Sequence, residues 1–211
     1  LESSKILDIT KKDDVQILID DFSPSIIINC AAYTSVDKAE VKKKNARDVN
    51  VEGLSNLIKA CNKQTKIIHI SSDYVFDGIK GEYIEDDPTF PVNYYGKTKL
   101  ESENLLIGSN LDFLIIRPNV LYSHDLSKNH FLSWVVNSLS QSKKINVAID
   151  QINNPTYIPD LVQVISDSIL LDFSGIFHIG SENSISRYDF AIQIADIFKF
   201  KKKLILPVES S

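Results

Sequence analysis

Residues 26–36 read Ile26-Ile27-Ile28-Asn29-Cys30-Ala31-Ala32-Tyr33-Thr34-Ser35-Val36. The run 26–29 is apolar without alternation until Asn29, the pattern of a strand covered on both faces. Small residues follow it at once, so the chain after the strand is a loop with little side-chain bulk. Runs of the same character recur at 67–70, 113–116 and 176–179. Segments with helical spacing lie between them. In 13–22, Val15, Leu18, Ile19 and Phe22 form one stripe, and Asp13 and Asp14 suit the first turn. Segment 46–61 carries Val49, Leu54, Leu57, Ile58 and Cys61, and 95–107 follows Pro91. Segments 130–139, 159–171 and 186–198 complete the set, the last with Ser186 as N-cap and Asp189 in its first turn. Strands alternating with helices predict an α/β fold built on a doubly wound, mostly parallel sheet. Two longer loops are expected at 73–91 and 148–159. Such folds place their sites beyond the carboxyl ends of the strands, here after Asn29 and after Ile70.

Composition narrows the classes. The 211 residues are 43% hydrophobic and 24% charged, as in a globular protein with a sizeable core. A net charge of −5 gives no basis for binding a nucleic acid backbone. The basic runs Lys42-Lys43-Lys44 and Lys201-Lys202-Lys203 are short enough to be solvated surface. Cys30 and Cys61 are too few for a disulfide framework; they read as buried reduced thiols in a cytoplasmic protein. No apolar run approaches the length of a membrane span, and no cluster has metal-ligand spacing.

The chemistry centres on Tyr95-Gly96-Lys97-Thr98-Lys99, preceded by Ser71-Ser72-Asp73 at a strand end. On a helix, Tyr95 and Lys99 are i and i+4 and share a face. An ammonium beside the phenol should lower the tyrosine pKa and make it a proton donor or acceptor near neutral pH. A serine hydroxyl at the strand end could hold a carbonyl against it. Tyr-x-x-x-Lys alone is a weak signal, equally satisfied by two exposed helix residues. Arg117 reads as a structural ion-pair residue, and His69 and His178 as core histidines.

Context adds weight. Residues 28–40, Ile-Asn-Cys-Ala-Ala-Tyr-Thr-Ser-Val-Asp-Lys-Ala-Glu, resemble the signature of the dTDP-4-dehydrorhamnose reductase family. That family belongs to the extended short-chain dehydrogenase/reductases. The resemblance runs on through Val49-Asn50-Val51-Glu52-Gly53, through 71–78 and through 91–101, and it reaches Ser186-Arg187-Tyr188-Asp189-Phe190-Ala191. It implies a Rossmann-like fold with a dinucleotide-binding domain at 1–118. Residues 119–211 would mix the remaining strands and helices with a smaller nucleotide-sugar-binding region.

The resemblance also implies roles. Ser72 would hydrogen-bond the C4 carbonyl of a sugar, and Tyr95 would protonate the developing alkoxide. Lys99 would hold the nicotinamide ribose and tune Tyr95. Asn50 would organise the site or relay a proton. Asp8 and Ile9 would lie against the adenine, with an ordinary helix-entry turn capped through Thr10 as the alternative. Ala31, Ala32, Tyr33 and Ser71 would line the cofactor, NADPH or NADH. Thr34, Val36, Ser72, Asp73, Tyr74 and Val120 would line the substrate pocket. The implied partner is a nucleotide sugar, with no nucleic acid or membrane; a homodimer is left open.

Departures matter too. Asn119-Val120 stands where such reductases often have serine and tryptophan, which puts the identity of the sugar in question. Asp73 is followed by Tyr74, so the second carboxylate of the related dehydratases is absent. The expected function is NAD(P)H-dependent reduction of a dTDP-4-keto-6-deoxysugar. Two alternatives remain: an epimerase or reductase of another sugar nucleotide, and a regulatory subunit like that of methionine adenosyltransferase. The seven glycines form no phosphate-cradling run. A start of about 30 residues, a βαβ unit with that loop, is therefore expected to precede Leu1, and this piece alone is expected to bind dinucleotide poorly.

Overall fold

A computed structural model describes residues 7–210. The chain divides into two compact units: residues 1–117 with 173–178, and residues 118–172 with 179–211.

The first unit carries α1 (Lys12–Phe22), β1 (Ile26–Asn29), α2 (Val36–Val41) and α3 (Lys43–Arg47). A π-helical turn, Asp48–Glu52, leads into α4 (Gly53–Ala60), and β2 (Lys66–Ile70) follows. A short 3-10 turn, Asp73–Val75, precedes α5 (Tyr94–Ile107) and β3 (Phe113–Pro118). In the second unit come β4 (Leu121–Tyr122), α6 (Phe131–Ser140), β5 (Ile145–Ala148), β6 (Ile152–Asn153), β7 (Thr156–Tyr157) and α7 (Ile158–Leu170). The chain returns to the first unit for β8 (Gly175–Ile179), then completes the second with β9 (Ile185–Ser186), α8 (Arg187–Ile197) and β10 (Ile205–Val208).

The sheet of the first unit has the order β1-β2-β3-β8, and β1–β2 and β2–β3 pair in parallel. Its register sets Asn29 opposite His69 and His69 opposite Ile115. The core gathers Val15, Ile19, Leu54, Leu57, Ile67, Leu106 and Ile115. Burial on both faces holds for β2 and β3 but not for the outer strands. Ile28 in β1 is 45% exposed and Phe177 in β8 is 37% exposed, because these strands end the four-stranded order.

The helix expected at 46–61 is broken into α3, the π turn and α4. Wider turns of this kind often mark functional positions, and this one buries Asn50. The burial expected for both cysteines is not found: Cys30, just beyond β1, is exposed, and Cys61 is half-buried at the end of α4.

The second unit packs α6 and α8 around Val135, Leu139, Ile145, Val147, Ala191, Ile194 and Ile205. Its small sheets pair β10 with β5 and β4 with β7 in parallel, and β6 with β9 in antiparallel. Local chemistry starts both long helices. The His130 side chain accepts from the Ser133 amide while the Ser133 hydroxyl accepts from the His130 amide, and Ser186 accepts from the Asp189 amide. Each arrangement satisfies donors that an α-helix leaves open at its start.

Candidate active site

In the first unit the carboxyl ends of β1 and β2 face the start of α5. Asn93 caps α5 by accepting from the Gly96 amide at 2.7 Å. Gly96 then permits a close approach. A Cβ there would fall within contact distance of the Tyr74 carbonyl oxygen, 3.1 Å from its carbon and 3.0 Å from Pro91 Cβ. Helix α5 therefore lies directly on the 3-10 turn that follows Ser72, and this contact sets Tyr95 beside Ser72.

Ser72 is buried beside Tyr95, whose phenol it draws toward the charged form. Its hydroxyl donates to Asp73 Oδ1 at 3.0 Å and accepts from the Tyr74 amide at 3.2 Å. The Tyr74 ring meets Tyr95 edge-on, with centroids 5.6 Å apart. The expected lowering of the Tyr95 pKa by Lys99 does not occur. Burial pushes the phenol up to about 12, against a smaller opposing pull from the Ser72 hydroxyl. The physical reason is the direction of Lys99: its Nζ turns to the Ile70 carbonyl at 2.7 Å and lies 3.2 Å from His69 Nε2. The phenol therefore stays protonated at neutral pH, the state of a proton donor.

Lys99 is 1% exposed. Burial pushes its ammonium down to about 8, against the opposing pull of the Glu103 carboxylate. Asn50 joins the two sides of the site. Its Oδ1 accepts from the Tyr33 amide at 2.7 Å, and its Nδ2 donates to Thr98 Oγ1 at 2.8 Å. The side chain thus ties the loop after β1 to α5 at Thr98, the residue before Lys99.

Beneath the site lies a buried ion pair. Arg117 donates to Glu103 from Nη2 at 2.8 Å and from Nε at 3.1 Å, and its guanidinium stands over the Phe76 ring. The Ser71 hydroxyl also donates to Glu103. Its side chain points inward rather than to the loop surface. The reading of Arg117 as an ion-pair residue agrees with this geometry. His69 is a satisfied core histidine, and His178 is held by the Tyr83 carbonyl and donates its amide to Glu85.

The other expected residues divide. Ala31 and Thr34 are exposed; Ala32, Tyr33, Val36, Asp73 and Tyr74 are half-buried around the same strand ends. Ile9 packs into the core, and exposed Asp8 accepts from the amide and hydroxyl of Thr10 at 3.0 and 2.7 Å. Val120 belongs to the second unit and sits at φ 33°, a backbone conformation a β-branched residue rarely adopts. Sequence reasoning passed over Asn29, Thr98 and Ser102, although all three bond residues of the site. Asn29 was the accessible one, as a polar residue closing an otherwise apolar strand. Among the described residues no group of three or more His, Cys, Asp or Glu could hold a metal, and no helix is long and apolar enough to cross a membrane.

A nicotinamide dinucleotide is the group this fold class takes, and the donors present fit its ribose diol. Among the described residues Lys99 Nζ donates to one oxygen acceptor, Ile70 O, and so keeps protons for a ligand. Ala31 and Ala32 oppose close approach with methyl groups alone. A parallel α/β sheet with a Ser72, Tyr95 and Lys99 constellation at its strand ends defines a protein of the extended short-chain dehydrogenase/reductase type. The model of the RmlD substrate binding domain matches residues 2–211, and the chain belongs to that family. It is 40% identical over 198 residues to a dTDP-4-dehydrorhamnose reductase of Aggregatibacter actinomycetemcomitans, covering 90% of this chain and 67% of that protein. It is 34% identical to the Methionine adenosyltransferase 2 subunit beta of Rattus norvegicus, covering 93% of this chain and 61% of that one. A crystal structure of dTDP-4-dehydrorhamnose reductase from Bacillus anthracis in complex with NADP superposes with a TM-score of 0.91. That structure shares 34% identity, over 97% of this chain and 72% of its own. The chain thus spans 61–67% of the length of these two curated relatives.

Proposed function

We propose that the protein of which this chain is part reduces the C4 keto group of a dTDP-4-keto-6-deoxysugar with NADPH. The observation that carries this reading is the buried pairing of Ser72 with Tyr95, with buried Lys99 one turn further along α5. The reductase relative at 40% identity and the NADP-bound structural neighbour support the substrate and the cofactor.

A bound nicotinamide supplies the hydride. Every other task falls to the chain. In this reading the Ser72 hydroxyl turns its proton from Asp73 Oδ1 to the sugar carbonyl and polarises it. Tyr95, protonated at neutral pH, is placed to deliver its proton to the same oxygen as negative charge develops there. Lys99 binds ribose hydroxyls in this reading. Asn50 holds the loop after β1 at a fixed distance from α5. Thr34, Val36, Asp73 and Tyr74 line the sugar side in this reading, Ala31, Ala32 and Tyr33 the cofactor side, and Asp8 the adenine end.

The regulatory-subunit reading has support from the 34% identical relatives. The complete Ser72, Tyr95 and Lys99 set and the higher identity to a reductase favour catalysis. The test is turnover of NADPH with dTDP-4-dehydrorhamnose by the full-length protein, beside a panel of other nucleotide ketosugars. Turnover confined to another ketosugar would reassign the substrate, and none with any would refute catalysis. A stoichiometric methionine adenosyltransferase copurifying from the native cell, without turnover, would favour the regulatory reading.

A further inference from the structure

The proton inventory of Lys99 is set by a chain of buried groups outside the reacting trio. It begins at the backbone. The Ala31 amide donates to Asn29 Oδ1 at 3.1 Å, and a backbone N–H can only donate. Asn29 is therefore oriented with its Nδ2 toward His69 Nδ1, 3.1 Å away, where it donates. Nδ1 carries no proton, and a neutral imidazole must then carry one on Nε2. Nε2 has two neighbours, Ser102 Oγ at 3.1 Å and Lys99 Nζ at 3.2 Å. The Ser102 hydroxyl spends its own proton on the Lys99 carbonyl at 2.6 Å, so its oxygen is free to accept. His69 Nε2–H donates to Ser102 and offers Lys99 no lone pair. A doubly protonated ring would set Nδ1–H against the amide protons of Asn29, so the same chain excludes the imidazolium. His69 is 1% exposed, and burial pushes it well below the usual histidine range. The charged and titratable groups around it are Lys99, with Glu103 and Cys30 beyond.

We propose that His69 is a positioning residue for Lys99. Held as the Nε2–H tautomer by Ala31 and Asn29, it denies Lys99 a protein acceptor and leaves the ammonium protons for the cofactor hydroxyls. The inference rests on the cofactor-binding part of the reading above and not on the identity of the sugar. Cofactor contacts at Lys99 are thereby tuned through the Asn29 and His69 side chains, which take no part in the reacting trio. In the strand ladder Asn29 and His69 stand directly opposite, so one parallel register builds the device.

The test begins with the full-length protein labelled with 15N-histidine. Long-range proton–nitrogen spectra, with His69 assigned by its loss in His69→Gln, report the tautomer without any turnover. The proposal expects Nε2–H between pH 6 and 9, a range set about the ordinary histidine value of ~6.5; Nδ1–H or imidazolium in the wild type overturns it. Two variants then separate positioning from mere packing. Asn29→Asp keeps an acceptor for Ala31 but presents another to Nδ1, which draws the proton there and turns Nε2 into an acceptor for Lys99. NADPH affinity should fall about tenfold, the worth of one hydrogen bond from a charged donor. His69→Gln offers an acceptor to Asn29 and a donor to Ser102, as the native tautomer does, and should hold NADPH within about twofold, inside the spread of a neutral exchange. Equal weakening in both variants, or none in Asn29→Asp, overturns the proposal. Loss of ketosugar turnover in the wild type with these binding results intact would fault the assigned reaction instead.

Discussion

Substituting alanine for Gly96 tests the packing that puts the proton donor beside the serine. The added Cβ would sit 3.0 Å from Pro91 Cβ and 3.1 Å from the Tyr74 carbonyl carbon, with the carbonyl oxygen nearer still. Carbon pairs settle at about 3.5–4.0 Å. Those two carbons each ask for roughly half an ångström, and the oxygen for about one. Neither partner is a flexible tip: one is backbone and the other a proline ring, so α5 must lift. Overpacking of this kind costs about 1–3 kcal/mol, and alanine's better helix propensity returns up to about 1 kcal/mol. The net loss of stability is therefore about 0–3 kcal/mol, and the fold survives. Activity should suffer far more, because displacing Tyr95 from Ser72 by about an ångström costs about a hundredfold in turnover. The loss should fall on kcat, with NADPH affinity changed little. Urea unfolding gives the first quantity, and initial rates of NADPH oxidation with the ketosugar give the second. Wild-type kcat in a folded Gly96→Ala protein would refute the claim that the helix–turn contact positions the site.

Other perturbations address separate parts of the account. Arg117→Leu leaves the Glu103 charge buried at 0% exposure without its main partner and should cost about 3–5 kcal/mol in urea unfolding; a loss below about 1 kcal/mol would contradict the buried pair. Val120→Gly removes a β-branched residue from φ 33° and should raise stability by about 1 kcal/mol, whereas a loss would show that the side chain's packing outweighs the strain. Lys99 titrates near 8 in the fold and at its ordinary 10.5 when unfolded, so the unfolded chain binds more protons between those values. Its contribution to stability therefore increases as pH rises from 8 towards 10, above which Tyr95, held up to about 12, keeps its proton only in the fold and adds in the opposite direction to the slope. Lys99→Met should make the slope between pH 8 and 10 less positive than the wild type's, with the raised Cys30 and Cys61 thiols contributing the opposite sign in both proteins; an unchanged slope would deny that Lys99 is buried with a displaced pKa.

The central strands were legible because apolar runs without alternation admit few other readings. Strand β1 occupies 26–29 as the sequence indicates, and β2 and β3 extend their expected runs by one or two residues. The Ser72, Tyr95 and Lys99 trio was legible from spacing and from resemblance together. Three features were not. The direction of Lys99 depends on a strand carbonyl and on His69, which lie far away in sequence. The π turn at Asp48–Glu52 follows from tertiary bonds of Asn50 to Tyr33 and Thr98, not from a local propensity. The two-residue strands of the second unit pair with distant segments and have too few residues for any period to show. Cys30 was misplaced for a related reason: an apolar run predicts burial for its members, but the chain leaves the sheet at Asn29 and the next residue meets solvent.

The most direct test of the central claim is single-turnover reduction by the full-length protein and by Tyr95→Phe. Each would be mixed with NADPH and dTDP-4-dehydrorhamnose, with NADPH affinity measured on the same samples. The account predicts reduction at C4 by the wild type and a loss of at least about a hundredfold in Tyr95→Phe, the usual worth of a positioned proton donor, with cofactor affinity nearly intact. Equal rates in the two proteins would contradict the role given to Tyr95, and tight NADPH binding with no reduction by either would contradict the enzyme.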